Sequence, residues 1–280
     1  MRRWPPEEPL ASTLFHPPEI PAPVTERIHE VLAEIERDQG VRVLHMVESG
    51  SRAWGFPSPD SDFDVRFLYV HQRDWYLSLE EGRDVIERPP EKAGLDLGGW
   101  DLRKALRLFV KSNPPLYEWL TSRIVYACLG ALADDMRTLA ERHYSRKTMG
   151  RHYLNIAKGQ HRTHLGDRET VPLKRYFYVI RPLCSLLWLR ERDDLPPMSL
   201  PDLMAGVPLP VAMREATDEL LAKKSVTSEM GKGARIAAVD AWAAAVIADA
   251  EALCNSLPAT QSAVREVDDF YRSALVTYAL

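Results

Sequence analysis

Glu48-Ser49-Gly50-Ser51-Arg52-Ala53-Trp54-Gly55-Phe56-Pro57-Ser58-Pro59-Asp60-Ser61-Asp62-Phe63-Asp64-Val65-Arg66-Phe67 is the stretch on which the reading of this chain turns. An apolar run at 41–47 leads into a Gly-Ser turn. A loop rich in Gly, Pro and Ser follows, and then a second apolar run headed by Asp62 and Asp64. Residues at i and i+2 of a strand project from the same face, because side chains alternate sides. Phe63, Val65, Phe67 and Tyr69 therefore face a core, while Asp62, Asp64 and Arg66 face away from it. Two acids aimed one way beside a Gly-Ser turn suit the holding of metal ions against phosphates. A polar hairpin turn is the plainer reading of 58–62; the turn, the spacing and both flanking strands together speak against it.

Composition narrows the rest. The 280 residues are 45% hydrophobic with a net charge of -4, enough for an ordinary core and no global reason to bind nucleic acid. Cys128, Cys184 and Cys254 are dispersed, which argues against a disulfide framework or a zinc site and for a reducing compartment. No apolar run reaches the ~18 residues of a membrane span, and the first residues lack the apolar core of a signal peptide. A cytoplasmic location without membrane partners is expected.

Residues 1–23 hold seven prolines and read as an extended arm. An amphipathic helix is expected over 25–37, strands over 41–47, 63–70, 85–86 and 95–100, a helix capped by Asp101, and a short helix over 116–121. Beyond about residue 130 helical periodicity recurs at 130–143, 146–164, 172–191, 208–223, 236–256 and 260–275, with no further strand pair. The expected fold class is α+β: a small mixed-sheet domain over 24–130, then an all-helical domain over 131–280.

The Gly50-Ser51 turn followed by Asp62-Phe63-Asp64 resembles the signature of the DNA polymerase β-like nucleotidyltransferase superfamily, in which a third acid lies on a later strand. Main-chain N–H groups of a tight turn, with the Ser hydroxyl, cradle phosphates. Carboxylates hold paired Mg²⁺ ions about 3.5–4 Å apart, and such hard oxygen ligands suit Mg²⁺ or Mn²⁺. Five words recur together in one subfamily: the Glu48 and Asp60 stretches, Gly-Trp-Asp-Leu-Arg-Lys-Ala-Leu (99–106), Ser-Asn-Pro-Pro-Leu-Tyr-Glu-Trp-Leu (112–120) and Leu-Lys-Arg-Tyr-Phe-Tyr-Val-Ile-Arg-Pro-Leu (173–183). The chain is similar over about 24–260 to the predicted nucleotidyltransferases associated with RNA repair. The resemblance implies an NTP donor, a divalent metal and an RNA end as acceptor.

The expected catalytic and metal-binding residues are Asp62 and Asp64, with Asp96 or Asp101 as the third acid. Asp96 is preferred, since Asp101 stands where a helix cap belongs; Asp84 trails both. Gly50, Ser51 and Arg52 are expected on the nucleotide, and so are Lys174, Tyr178 and Arg181, which helical spacing puts on one face. Arg66 pairs with Asp64 or meets substrate, and Lys104 is exposed or on phosphate. Residues 142–164 form the one local basic patch, a candidate RNA surface or a solvated helix face. The rival functions are a catalytically silent nucleotide- or RNA-binding module and an interaction protein of antitoxin type.

Overall fold

The computed structural model describes residues 17–90, 94–228, 230–260 and 264–279. Most of the proline-rich arm, residues 1–16, and Glu229 lie outside them. Helix α1 (Ala22–Gln39) starts where the N–H groups of Val24 and Thr25 reach the Pro21 carbonyl. It ends at Gly40, whose left-handed backbone (φ 59°) turns its N–H to the Glu36 carbonyl, the usual role of a glycine past a helix end. Strand β1 (Val41–Glu48) follows at once, then one helical turn, α2 (Gly50–Ala53), and strand β2 (Phe63–His71). A 3-10 turn (Arg73–Leu77) precedes β3 (Val85–Arg88) and β4 (Leu95–Asp101), helices α3 (Leu102–Val110) and α4 (Pro114–Thr121), and β5 (Val125–Cys128).

These strands form one mixed sheet in the order β3-β4-β2-β1-β5. Only β2 and β4 run parallel; the other three pairings are antiparallel. Ile28, Val31 and Ile35 of α1 cover one face, packing on Phe63, Val65, Phe67, Leu95 and Leu97. The opposite face is split along β2. Its second half offers Leu68 and Val70 to α3 and the helices beyond. Its first half offers Asp64 and Arg66, which no apolar layer covers.

The remainder is helical: α5 (Leu132–His143), α6 (Arg146–Gln160) with a wider turn at His161–Leu165, α7 (Phe177–Glu191), α8 (Leu200–Gly206), α9 (Val211–Val226), α10 (Ala237–Ser256) and α11 (Val264–Tyr278). One apolar cluster runs without a break from Leu44 and Leu68 of the sheet through α7 to Ala274 of α11. The fold is thus a five-stranded mixed sheet followed by a helical region, as the patterning indicates.

Two strand features depart from the sequence reading. The edge strand β5 has no alternating pattern to betray it; it forms because β1 offers a free main-chain edge. Farther on, Thr170–Pro172 pairs with Lys232–Ala234 as a two-stranded ribbon, β6 and β7, each too short to carry a period. The first of these also interrupts the helix expected over 172–191. Leu173–Tyr176 is a 3-10 turn, and α7 begins only at Phe177.

The glycine pair of β4 gives a sharp contrast. A Cβ on Gly99 would lie 2.1 Å from the buried Phe67 ring, whereas one on Gly98 would meet Arg66 at an ordinary 3.6 Å. Gly99→Ala is expected to cost about 1–3 kcal/mol, and Gly98→Ala to change stability by less than about 1 kcal/mol, as read from guanidinium unfolding midpoints.

Candidate active site

The site is assembled where β1, α2, β2 and β4 meet. The Ser49 N–H donates to the Asp64 carbonyl at 2.7 Å, tying the Gly-Ser turn to β2. Gly50 then adopts φ 57°, and a Cβ there would fall 1.9 Å from Asp64 Oδ2. Only glycine lets the turn lie directly against that carboxylate. On the other side, the Gly94 carbonyl accepts the Phe63 N–H at 2.7 Å, and a Cβ on Gly94 (φ 72°) would lie 2.8 Å from Asp62 Oδ1. Parallel pairing of β2 with β4 sets Asp64 opposite Asp96 and Arg66 opposite Gly98.

Arg66 occupies the space between the acids. Its Nη2 lies 2.7 Å from Asp96 Oδ2 and 3.4 Å from Asp64 Oδ1, while Nη1 donates to the Asp96 carbonyl at 3.0 Å. Burial, opposed by Arg66, pushes the Asp64 carboxyl above its ordinary range, and the neighbouring Asp96 and Asp62 push it further. Among the described residues, no three acid, histidine or cysteine side chains already converge as a metal cage. The donor set still fits a divalent cation. Three hard-oxygen groups crowd one cleft, and a single guanidinium now supplies the positive charge between two of them.

Asp101 has a different task. It is fully buried; its Oδ1 accepts the Arg103 N–H at 2.8 Å, capping α3, and its Oδ2 accepts the Tyr76 hydroxyl at 2.6 Å. It pairs in register with Tyr69, at the far end of the strand from Asp96. Asp84 is 3.0 Å from Lys104 Nζ, so this lysine is engaged in an ion pair.

The nucleotide-side expectations divide. Ser51 sits in the α2 turn beside Asp64. Arg52 folds back instead: its guanidinium donates to the Ser61 and Asp62 carbonyls at 2.6 and 3.3 Å and lies over the Phe63 ring, bracing the loop that carries Asp62. Lys174 and Tyr178 are exposed, but Arg181 is only 7% exposed. It is paired with Glu118 at 3.0 Å, donates to the Met198 carbonyl and lies over Trp54. Tyr178 and Arg181 do share a face, both lying against Trp54, but the expectation that Lys174 joins them and that Arg181 is open to a nucleotide is corrected. The 3-10 turn breaks the helical phase after Lys174, and α7 is apolar nearly all round. Half of the lysines and arginines of the basic patch at 142–164 meet acids from distant segments: Arg142, with His143, meets Glu266, Arg146 meets Asp193 and Lys158 meets Glu251.

Three features were missed in the sequence. Glu48, the last residue of β1, is completely buried; its Oε1 accepts the Asp64 N–H at 3.0 Å and its Oε2 the Tyr126 hydroxyl at 2.6 Å. The signal was an acid closing an otherwise apolar strand. Lys224, at the end of α9, reaches the Ser58 hydroxyl at 3.4 Å and lies over Phe56. Burial, and then the nearby Lys174, lower its pKa, so a second cation lies close to the one that meets the loop between the Gly-Ser turn and Asp62. Phe56 stacks on Phe177 with ring centroids 4.6 Å apart, fastening that loop to the helical region. No local signal announces either contact. The third is the packing of Trp100, which strand alternation already puts on the face of Asp96, on Trp119 at 3.9 Å.

A mixed sheet carrying an acid–apolar–acid strand behind a Gly-Ser turn, with a third acid on the neighbouring strand, defines the polymerase β-like nucleotidyltransferase class. Residues 24–273 match the model of the RNA repair pathway DNA polymerase beta family, and the chain belongs to that family. It is 44% identical over 211 residues to the uncharacterized protein YcgL of Bacillus subtilis (strain 168), covering 75% of this chain and 80% of the relative. It is also similar to the structure of a nucleotidyltransferase-like protein from Exiguobacterium sibiricum 255-15, at 10% identity and TM-score 0.30, covering 83% of this chain and 75% of the other. Divalent metals are general in polymerase β-like nucleotidyltransferases. Among the described residues no helix is long and apolar enough to cross a membrane.

Burial raises the Glu48 carboxyl to about 7, against the opposing hydrogen bonds from Tyr126 and Asp64. In the unfolded chain it ionises near 4.5, so between these values the folded state holds the extra proton and stability falls as pH rises. At about 1.36 kcal/mol per pKa unit, the loss from pH 4.5 to 7 is about 3 kcal/mol. Glu48→Gln in the metal-free protein is expected to flatten that part of the stability–pH curve, as read from urea midpoints at half-unit pH intervals.

Proposed function

We propose that the protein transfers a nucleotidyl group from an NTP to a hydroxyl, with the end of an RNA as acceptor and pyrophosphate as the leaving group. The observation that carries this reading is the pairing of Asp64 with Asp96 across parallel strands, with Asp62 beside them and Gly50 pressed against the Asp64 carboxylate. Asp62, Asp64 and Asp96 would hold Mg²⁺, or Mn²⁺ in its place, and the bound ions supply the Lewis-acid charge that steadies the reacting phosphoryl oxygens.

The other parts of the reaction belong to the chain. The leading N–H groups of a helical turn lack intrahelical partners, so α2 and the Ser51 hydroxyl offer donors to the donor's phosphates. Lys174 and Lys224 stand across the 56–61 loop and draw the same polyanion. Tyr178, edge-on to Trp54 at 5.8 Å and beneath Arg175, offers an exposed ring for the base. Asp96 accepts the proton of the attacking hydroxyl as its oxygen bonds to the α-phosphorus, and the bond to pyrophosphate breaks. Arg66 must release Asp96 for this step, and an incoming phosphate gives it another anion to meet. Arg52 and Arg181 act at one remove: the first stiffens the Asp62 loop, and the second holds Trp54 from behind. The sheet domain at 24–130 carries the chemistry, and the helical domain at 131–280 carries the donor-side cations.

The test is transfer of label from each α-labelled NTP to a pool of short RNAs in Mg²⁺. Asp64→Asn and Asp96→Asn are each expected to lower kcat at least about a hundredfold. Transfer that survives Asp62→Ala with Asp64→Ala would overturn the mechanism; absence of transfer alongside intact NTP binding would favour a silent binding module. Asp101→Asn, by contrast, is expected to lower the melting temperature yet keep transfer per folded molecule within a few fold of the parent. Lys224→Ala is expected to raise KM for the NTP about tenfold, near 1.4 kcal/mol, and to leave the acceptor KM unchanged.

A further inference from the structure

A groove of about 560 Å³ lies along the outer strands of the sheet, on the face that carries the acids. Its volume falls within the roughly 300–1,000 Å³ of small-molecule sites. Gly98 forms its floor, Trp100 and Trp119 one wall, and Arg66, Arg83 and Asp96 other parts of its lining. The residues come together for a simple reason. Asp96, Gly98 and Trp100 alternate onto one face of β4, and the side-chain-free Gly98 leaves a hollow between the acid and the indole. Trp119, from α4, backs Trp100 and holds it upright.

We propose that this groove receives the terminal nucleotide of a single-stranded RNA, and that it is the acceptor subsite; its assignment to the acceptor, though not the binding itself, rests on the nucleotidyl-transfer reading. Three features argue for this occupant. The flat indole of Trp100 is the surface on which a single unpaired base stacks, a contact worth about 1–3 kcal/mol per base. Arg66 and Arg83 both line the groove, each in an ion pair with a single lining acid, Asp96 or Glu87, for which a phosphate competes; Arg88 turns to Glu34 of α1 instead. Arg83 makes an exposed pair with Glu87 (72% and 66% exposed side chains), a contact weak enough to yield to a phosphate. Asp96 lines the same groove, so a terminal hydroxyl on the bound nucleotide meets the carboxylate proposed to take its proton. The donor-side cation Lys224 contacts the 56–61 loop instead, so donor and acceptor approach from different sides of the acids.

Gly98 offers the test. Its backbone needs no positive φ, and a Cβ there meets the Arg66 side chain at an ordinary 3.6 Å, so Gly98→Leu puts its bulk into the groove beside Arg66, on the face away from α1. Binding of a fluorescein-labelled single-stranded RNA 12-mer is read by anisotropy without metal or NTP, and the KM values for acceptor and NTP are read separately. Gly98→Leu and Arg83→Glu are each expected to weaken RNA binding tenfold or more and to raise the acceptor KM to match, with NTP binding changed less than twofold. Melting temperatures of both variants keep a folding defect from passing as a binding one. Unchanged RNA affinity in both variants, or no RNA binding by the parent protein, would overturn the groove assignment. RNA binding that Gly98→Leu abolishes, in a protein that transfers no nucleotide, would uphold the groove as an RNA site and overturn the transfer reading instead.

Discussion

The parallel register between β2 and β4 is the constraint on which the other features of the site depend. It puts Asp64 beside Asp96, although 31 positions separate them in the chain. It also puts Gly98 beside Arg66, which leaves the guanidinium room to lie between the acids. A shift of one residue would turn Asp96 toward α1 and bury it beside Val65 and the apolar side chains of that helix, while Leu97 turned to the cleft, because strand side chains alternate faces. The apolar face prevents that slip: Leu95 and Leu97 must meet the α1 layer, so Asp96 must meet the cleft.

Charge in the cleft follows from that geometry. The half-buried Asp64 is disfavoured as an anion first by its burial and then by the nearby Asp96 and Asp62. Arg66 resolves part of this by reaching both Asp64 and Asp96. Glu48 resolves its own burial differently, accepting two hydrogen bonds and holding its proton more tightly than an exposed acid. Its contact with the Asp64 main chain ties the end of β1 to the start of β2, so the Gly-Ser turn and the acid strand move as one piece. Loop 56–61 is fastened in the same spirit, by Phe56 on Phe177 and by Leu200, whose N–H reaches the Trp54 carbonyl. These bonds couple the helical region to the site and bring Lys224 over Ser58.

Much of this was legible in the residues. The alternation in 63–70 located a strand buried on one side, and the helical spacing of Ile28, Val31 and Ile35 located its cover. The capping place of Asp101 was also readable, since an acid immediately before an amphipathic helix belongs to the cap. What could not be read was contact between remote segments. Lys224 has no periodic or motif signal that points to Ser58. The acids that meet Arg142, Arg146 and Lys158 are Glu266, Asp193 and Glu251, and nothing local pairs them in advance.

The sequence by itself determined the sheet-then-helix order, the Gly-Ser turn, the acid–apolar–acid strand and the face on which the third acid falls. These depend on local period and backbone freedom, which each short segment carries within itself. Only the tertiary structure decided that Arg66 bridges two acids, that Arg181 is a core residue and not a cleft residue, and that Lys224 and Trp100 border the site from opposite sides. Those outcomes depend on which distant surfaces share a core, and on a 3-10 turn that rotates α7 out of the phase Lys174 would have set. Side-chain spacing along one segment carries no record of either.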